Sequence, residues 1–318
     1  MRLIALEEAF WYNKLATEGS PTSHLPVKGA VLADWQQRLL DFTEFRLPEM
    51  DACGVDMQVL SLTSPGIQMQ PDPAIAVADA RLANDFLTAV ITEHPGRFGG
   101  LAAVALQDPR HAAAELRRAV GMGLRGALVN DHTLGHYLDE PQYVPFWETL
   151  EDLGVPLYIH PNAVPSDDWN VVRGYPELDT ATWSWAARTG GHAMRLIFGG
   201  VFDRFPGARI ILGHMGEFLP FQLSRFDARY GDLDLKQPLQ KPPSEYFGTN
   251  IAITTTGVFS HAALIAAIQA VGIDNVMFSI DYPFERSAQA VDFISSAPLA
   301  PADKEKVAHA NAERILRL

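Results

Sequence analysis

The chain has 318 residues, of which 47% are hydrophobic and 20% are charged, a composition typical of a globular protein with room for one large domain or two modest ones. Its formal net charge of −13 at pH 7 argues against a nucleic-acid partner, because binding phosphates requires clustered Lys and Arg. The single cysteine, Cys53, excludes an internal disulfide and a cysteine-rich metal site.

The N-terminal residues do not have the pattern of a targeting signal. They read MRLIALEE and reach acidic side chains too early for a secretory signal peptide. No run in the sequence approaches the roughly 20 apolar residues that a membrane span requires. We therefore expect a cytoplasmic protein.

Eight short apolar runs of strand-like length follow one another along the chain. They are 3–6, 57–62, 98–104, 126–129, 156–159, 209–212, 250–255 and 276–280. Segments with helical periodicity lie between these runs or after the last of them. They are 74–91, 111–120, 143–153, 192–202, 261–271, 287–296 and 302–316.

Strands that alternate with helices favour parallel pairing, and eight such units in about 300 residues predict an α/β fold of the (β/α)₈ TIM-barrel type. We expect a single domain over residues 1–318. An open doubly wound sheet is the alternative, but it needs a G-x-G-x-x-G turn, and none follows strand one or two. Two long loops, 11–34 after strand one and 231–245 after strand six and its helix, are expected to form lids or contact surfaces.

Polar side chains stand at the carboxyl ends of several predicted strands, which is where barrels build their active sites. The residues are Glu7, Asn130, Asp131, His160, His214, Glu217 and Asp281. Imidazoles and carboxylates suit Zn²⁺ or Mn²⁺, or Mg²⁺ where oxygen ligands dominate. Each residue alone has a structural explanation, such as a cap or a buried hydrogen bond, but their joint occurrence favours one site.

Five short segments in the same order resemble a known family. They are ALEEAF at 5–10, GALVN at 126–130, YIHP at 158–161, GHMGE at 213–217 and SIDYPFE at 279–285. Together they resemble the amidohydrolase superfamily and, within it, the metal-dependent hydroxybenzoate decarboxylases. That branch includes 2,3-dihydroxybenzoate, γ-resorcylate and 5-carboxyvanillate decarboxylases. The resemblance implies the barrel fold and association into homodimers or homotetramers.

The resemblance also implies a set of site residues. Glu7, His160 and Asp281 would bind one divalent metal, which could be Mn²⁺, Zn²⁺ or Mg²⁺. His214 and Glu217 would be catalytic partners beside it, together with Asp281 itself. The active site would then lie at the carboxyl-terminal end of the barrel.

Two positions favour one metal over two. The superfamily often carries His-x-His on strand one, whereas this chain has Ala9, which cannot bind a metal. Strand four ends in Asn130 and offers no lysine of the kind that bridges two metals when carboxylated. We therefore expect a smaller set of ligands and a single ion.

Four residues are expected on the substrate side: Arg46, Arg225, Asn130 and Phe284. An arginine fork suits a planar carboxylate, although Arg46 and Arg225 could instead pair with Glu49 and Asp227 at the surface. Five other aromatic residues could line an aromatic-substrate pocket or pack in the core: Phe10, Trp11, Trp183, Trp185 and Tyr282. Four histidines are weaker candidates: His24, His132, His136 and His192.

These residues predict non-oxidative decarboxylation of an ortho-hydroxylated benzoate. The ring carbon that carries the carboxylate must gain a proton, and we expect Asp281 to deliver it with help from His214. One alternative is a metal-dependent hydrolase of a lactone, ester or amide, with Asp281 as general base on a metal-bound water. The other is a non-catalytic barrel that binds an aromatic acid or another protein.

Overall fold

The computed structural model describes residues 1–17, 26–162, 169–235 and 237–318, so that His24 lies outside the described residues. Nine strands occur within these ranges, and every pair of neighbours is parallel. They are β1 Ile4–Phe10, β2 Met57–Leu62, β3 Phe98–Gly100, β4 Ala102–Ala103, β5 Ala127–Asn130, β6 Leu157–His160, β7 Ile210–Leu212, β8 Ile251–Thr254 and β9 Val276–Met277.

The strands form a ring of eight positions. Strands β3 and β4 are two halves of one strand, since Leu101 between them donates its N–H to the carbonyl of Leu60 at 2.9 Å. The pairing then runs without a break from β4 to β9. Leu6 on β1 forms a parallel bridge with Ser279, and its N–H lies 3.2 Å from the carbonyl oxygen of Phe278 just beyond β9. The predicted TIM barrel is confirmed.

Helices connect the strands and cover the ring. The helices are α1 Gly29–Leu40, α2 Arg46–Cys53, α3 Pro73–Glu93, α4 Pro109–Gly121, α5 Val144–Leu153, α6 Ser184–Phe198, α7 Val201–Arg204, α8 His214–Glu217, α9 Leu223–Tyr230, α10 His261–Val271, α11 Ser287–Ser296, α12 Pro301–Glu305 and α13 Asn311–Leu316. Of these, α8 is a single left-handed turn with positive φ at all four residues. Short 3₁₀ turns are Pro141–Tyr143, Pro176–Leu178, Leu219–Gln222, Pro243–Tyr246 and Ile273–Asn275, and a π-helical turn is Lys306–Ala310. None of the helices in the described ranges is both long enough and apolar enough to cross a membrane.

Two predicted segments differ from the structure. The loop predicted at 11–34 gives way to a helix from Gly29 onward, because Val31, Trp35 and Leu39 repeat at helical spacing after Pro26 has interrupted the chain. The helix predicted at 192–202 begins earlier, at Ser184, and a left-handed Gly200 separates it from α7. The other predicted helices match within a few residues. Helices α3 and α4 begin at a capping aspartate. Asp72 and Asp108 each accept backbone N–H groups of the first turn and stand before a proline at the first helical position.

The barrel interior is filled by one apolar cluster. Its members come from all eight strand positions and from the last helix: Ile4, Leu6, Val59, Leu101, Leu128, Tyr158, Ile211, Ala252, Met277, Ala312, Ile315 and Leu316. A second, larger cluster lies between the strands and the helices. This packing makes the ring a rigid frame, so that side chains at its carboxyl-terminal lip hold fixed positions.

Strand β1 contains a bulge that affects the site directly. Ala5 pairs with Gln58 and Glu8 with Leu60, so that Leu6 and Glu7 together stand opposite Val59. The bulged Glu7 has a φ of 62°. A bulge of this kind redirects the side chains that follow it. It allows Glu7 and Glu8 to turn into two different buried environments.

Candidate metal centre and substrate cavity

Glu7 at the bulge of β1, His160 at the end of β6 and Asp281 beyond β9 come together in the structure. Each offers one ligand atom, and these atoms all lie within 4.8 Å of one another. The Nε2 atom of His160 lies 3.6 Å from Oε1 of Glu7. Glu7 is 1% exposed, and only 14% of the Asp281 side chain is exposed. The structure therefore assembles the predicted metal ligands from β1, β6 and the segment after β9.

The donor atoms fit a divalent cation. Oε2 of Glu7 accepts hydrogen bonds from the hydroxyls of Tyr158 and Thr256, whereas Oε1 is buried and has no hydrogen-bond partner among the described residues. His160 donates from Nδ1 to the carbonyl of Pro161 at 2.6 Å, which leaves the lone pair of Nε2 directed elsewhere. One carboxylate oxygen and one imidazole nitrogen thus face the same point, as a metal site requires.

Burial acts on the two ligands in opposite directions. It lowers the pKa of His160, although the Glu7 carboxylate opposes the shift. The same burial raises the pKa of Glu7, and the imidazoles of His214 and His160 only partly offset it. A neutral imidazole is the form that binds metal. A bound cation would favour the ionised carboxylate that burial disfavours.

His214 stands beside this group and contacts three carboxylates. Its Nδ1 contacts Oε1 of buried Glu217 at 2.8 Å, and its Nε2 lies 3.8 Å from both Oε1 of Glu7 and Oδ2 of Asp281. Burial lowers the pKa of His214, but the carboxylates of Glu217 and Glu7 outweigh it and raise the pKa well above its ordinary value. The carboxylates around His214 thus favour its protonated form, and its Nε2 lies within reach of Asp281.

Four residues of this centre share an unusual backbone conformation. Glu7, His214, Glu217 and Asp281 have φ values of 62°, 46°, 54° and 83°. Left-handed φ values cost L-residues with a side chain roughly 1–2 kcal/mol each and collect at functional sites. The surrounding packing holds the four carboxylate and imidazole groups in orientations that an extended strand end would not give them.

A cavity of about 320 Å³ opens over the centre. It is lined by Pro26, Val27, Trp35, Thr63, Ser64, His160, Glu177, Thr180, Ala181, Thr182, Trp185, His214, Asp281, Phe284 and Glu285. Phe284 and Trp35 meet edge to face, with ring centroids 5.2 Å apart. Aromatic walls beside the metal ligands suit a flat ring that carries a polar group.

The structure places Arg46, which was expected on the substrate side, inside the protein. Arg46 is 0% exposed and does not line the cavity. Its guanidinium donates to the carbonyl of Ala9, to Oε1 of Gln58 at 3.0 Å and to the carbonyl of Asp41 at 3.3 Å. It also lies 4.3 Å from the ring centroid of Tyr282. Because its donors are engaged inside the protein, Arg46 acts within the fold.

The other substrate-side predictions have mixed outcomes. Phe284 lines the cavity, whereas Arg225 is exposed on α9 and lies outside the cavity lining of this chain. Asn130 is buried one layer behind the wall: its carbonyl accepts from Asn162, whose Oδ1 in turn accepts from the cavity residue Ser64 at 2.8 Å. The structure thus brings one of the four to the cavity directly.

Several of the weaker candidates have structural partners. His192 contacts Asp131 through Nδ1 at 2.8 Å and accepts the N–H of Leu138 through Nε2. Among the aromatic residues, Trp185 lines the cavity, and Trp183 is exposed on the surface. Phe10, Trp11 and Tyr282 are buried in the core.

Two other histidines that were candidates also have partners. Nδ1 of His132 accepts the N–H of Gly135, and His136 pairs with Glu140 at the surface.

Sequence patterns could have revealed some residues that were missed. Tyr158 stands two positions before His160 on β6, so that strand alternation places both on the same side, and its hydroxyl reaches Glu7. Thr254, the last residue of β8, and Thr256 beyond it have the same spacing of two, and their hydroxyls are hydrogen-bonded to each other. Trp35 and Glu285 carry no comparable signal, because only the packing of α1 against the segment after β9 brings them to the cavity.

Comparison with known proteins gives consistent results. The sequence profile of the family described as Amidohydrolase matches residues 11–318. The chain is 40% identical, over an alignment of 325 residues, to the γ-resorcylate decarboxylase of Rhizobium sp. (strain MTP-10005), covering 99% of this chain and 98% of that relative.

Two solved structures share the whole fold. The dihydroxybenzoic acid decarboxylase of Polaromonas sp. JS666, with bound manganese and the inhibitor 2-nitroresorcinol, gives a TM-score of 0.93 at 37% identity, over 100% of this chain and 97% of the other. The 5-carboxyvanillate decarboxylase of Sphingomonas paucimobilis gives a TM-score of 0.91 at 40% identity, over 100% of this chain and 99% of the other.

Proposed function

The chain belongs to the amidohydrolase family, and we propose that it is a metal-dependent carboxy-lyase that decarboxylates a hydroxylated benzoate without oxidation. The observation that carries this proposal is the grouping of Glu7, His160 and Asp281 within 4.8 Å beneath an aromatic cavity, with the imidazole of His214 alongside. Relatives of the same length act on γ-resorcylate and 5-carboxyvanillate, which are both hydroxylated aromatic acids.

One divalent metal is the cofactor in this proposal. Glu7, His160 and Asp281 would hold it, and manganese is the ion bound by the Polaromonas relative. A divalent cation at this position supplies positive charge that neutralises and orients the substrate carboxylate and the adjacent phenolic oxygen. The buried and unpartnered Oε1 of Glu7 supports the assignment within the described part of the chain.

The chain's own residues would supply the proton. The ring carbon that bears the carboxylate gains the proton, the bond to the carboxylate carbon then breaks, and its electron pair restores the aromatic ring as carbon dioxide leaves. Asp281 is the residue proposed to deliver the proton. His214 can resupply it, because its Nε2 lies 3.8 Å from Oδ2 of Asp281 and the carboxylate of Glu217 stabilises the protonated ring.

The substrate-facing walls would hold the ring by contact with Phe284, Trp35 and Trp185. We also propose that the chain is one domain, that it works in the cytoplasm, and that it assembles as a homodimer or homotetramer. Arg225, which is exposed on α9, could then meet a second subunit, and light scattering on the purified protein would measure the mass of the assembly.

Product analysis tests the function. The protein loaded with Mn²⁺ is incubated with 2,3-dihydroxybenzoate, 2,6-dihydroxybenzoate and 5-carboxyvanillate, and carbon dioxide and the phenol are measured. We expect release of carbon dioxide from at least one of them. Release from none of a broad hydroxybenzoate panel would contradict the proposal, and cleavage of lactones, esters or amides by the same protein would favour the hydrolase instead.

A further inference from the structure

Glu8 is a buried carboxylate that the proposed reaction does not use. It is 0% exposed and follows the metal ligand Glu7 on β1. Its Oε1 accepts the N–H of Ile280 at 3.0 Å and the N–H of Asp281 at 3.4 Å. Its Oε2 accepts the N–H of Tyr282 at 3.3 Å. One carboxylate thus binds three consecutive backbone amides from the other end of the chain.

The segment that Glu8 binds cannot be held by strand pairing alone. Strand β9 ends at Met277, and Asp281 has a left-handed φ of 83°. Successive N–H groups in such a conformation converge and form a concave anion-binding surface. The carboxylate of Glu8 occupies this surface from inside the protein, where no water competes for the hydrogen bonds.

Arg46 also contacts both β1 and the segment 280–282. Its guanidinium donates to the carbonyl of Ala9, the residue after Glu8, and lies 4.3 Å from the ring centroid of Tyr282, the residue after Asp281. Burial raises the pKa of Glu8 to about 8, and the positive charge of Arg46 acts against that shift. Arg46 and Glu8 each link the two segments that carry Glu7 and Asp281, through Ala9 and Tyr282 and through residues 280–282 respectively.

We propose that Glu8 is a positioning residue that sets the carboxylate of Asp281 in the metal centre, an inference that rests on the proposed metal site. The three N–H bonds fix the Asp281 backbone in its left-handed conformation, and that conformation directs the side chain toward Glu7 and His160. Without these hydrogen bonds, the segment would relax toward an extended conformation. The Asp281 side chain would then leave the position from which it can share an ion with the other two ligands.

The test compares Glu8 with a carboxylate that accepts hydrogen bonds elsewhere in the protein. Glu8→Gln keeps the side-chain volume but replaces one carboxylate oxygen with an amide group, whose N–H faces the backbone donors. Glu49→Gln is the control, because Glu49 is partly buried and accepts hydrogen bonds from Arg38 at 2.7 Å and Ser287 at 2.6 Å, neither of which belongs to the segment 280–282. Three quantities are measured: the Kd for Mn²⁺ alone, the electron paramagnetic resonance spectrum of bound Mn²⁺, and the unfolding temperature of the metal-free protein.

We expect Glu8→Gln to weaken Mn²⁺ binding by about 10–100-fold, the usual effect of losing a residue that orients a metal ligand. The resonance spectrum should change with it, and kcat should fall. Glu49→Gln should lower the unfolding temperature while leaving the Kd for Mn²⁺ within about twofold of the unmodified protein.

Three results would overturn the inference. The first is an unchanged Kd and spectrum in Glu8→Gln. The second is a loss of Mn²⁺ affinity in both variants in proportion to their lost stability. If Glu8→Gln does not fold, Glu8→Asp replaces it: this variant keeps the carboxyl group but is too short to reach all three amides, and an unchanged Kd there overturns the inference as well. Failure of the unmodified protein to bind Mn²⁺ would instead reject the proposed metal site itself.

Discussion

Single residues in the metal centre depend on backbone conformations that most L-residues avoid. Glu7, His214, Glu217 and Asp281 all have left-handed φ values, and each is supported by a buried hydrogen bond or an ion pair. The strain is local, whereas the packing that holds it is distributed over the barrel. Substitutions at these residues should therefore change the chemistry more than they change the fold.

Asp281 has two proposed roles that one substitution can separate. Asp281→Asn keeps the shape and one oxygen ligand but can no longer carry a proton between His214 and the ring carbon. We expect kcat to fall by at least about 10³-fold, while the Mn²⁺ content of the purified protein falls by less than about tenfold. Equal losses of turnover and metal would leave Asp281 as a ligand only.

Glu217 is proposed to act through His214. Its Oε1 lies 2.8 Å from Nδ1 of that ring, so Glu217→Gln removes the charge that stabilises the imidazolium. We expect kcat to fall by about 10–100-fold, with Mn²⁺ affinity unchanged within about threefold. Steady-state kinetics and metal titration on the same preparation check this, and a normal kcat would remove Glu217 from the catalytic group.

The charge of the cavity predicts which substrates are favoured. Glu177, Asp281 and Glu285 line it, and the described part of the lining contains no Lys or Arg. A second substrate carboxylate would meet like charge, whereas a ring hydroxyl can donate a hydrogen bond. We therefore expect a higher kcat/KM for 2,6-dihydroxybenzoate than for 5-carboxyvanillate.

Glu285 gives the means to test that preference. Glu285→Gln should narrow the ratio of the two kcat/KM values by about 3–10-fold, because it removes one of the three carboxylates without changing the cavity's size. The same ratio in both proteins would show that cavity charge does not select the substrate.

At the scale of elements, the turn before α2 positions the buried Arg46. Asp41 accepts the N–H groups of Glu44 at 2.9 Å, Phe45 at 2.8 Å and Arg46 at 3.2 Å. Burial raises the pKa of Asp41, but these backbone donors outweigh it and lower the pKa below its ordinary value. The turn is therefore most stable while Asp41 is ionised.

The lowered pKa of Asp41 predicts how the stability of the protein depends on pH. A carboxyl whose folded pKa lies below its unfolded value of about 4 adds stability above that pH and loses it as the pH falls through the folded pKa. We expect Asp41→Asn to lower the free energy of unfolding by up to about 1 kcal/mol at pH 7, because N–H groups bond a charged acceptor more strongly than a neutral one. The variant should converge with the unmodified protein as the pH falls below the folded pKa of Asp41. Denaturant unfolding at several pH values measures this.

Asp34→Asn is the control for that experiment. Asp34 is on neighbouring α1, and its carboxylate pairs with Arg38 at the surface. Loss of an exposed pair of this kind costs less than about 0.5 kcal/mol. An equal effect of the two substitutions would show that Asp41 does not act as a cap.

At the scale of the whole molecule, the metal should couple the two ends of the chain. The proposed ligands come from β1, β6 and the segment after β9, so that an ion bound to them can bind only the folded barrel. At a free Mn²⁺ concentration about 100 times the Kd, this linkage adds roughly 2.7 kcal/mol to the free energy of unfolding.

Removing the metal tests whether it contributes to stability and to activity. Dialysis against a chelator should abolish decarboxylation and lower the unfolding temperature by a few degrees, and added Mn²⁺ should restore both. Glu7→Gln is the matched variant, because it should show little response of the unfolding temperature to Mn²⁺. Full activity after exhaustive chelation would contradict a metal-dependent reaction.

The sequence by itself determined the strand order and the barrel, because apolar runs and the helical periodicity between them are local properties of the chain. It also placed Glu7, His160, His214 and Asp281 at strand ends, and parallel strands bring such ends to one lip. That geometric rule explains why residues more than 100 positions apart could be assigned to one site before their contacts were known.

Only the tertiary structure decided which neighbouring residues face the cavity and which face the core. Arg46 carries the same charge in either place, and contacts with Ala9 and Gln58, distant in the chain, draw it inward. The bulge on β1 separates Glu7 from Glu8, and the partners of Glu8 lie at residues 280–282. Burial and long-range hydrogen bonding have no local signal in the sequence, so these roles became visible only in the folded chain.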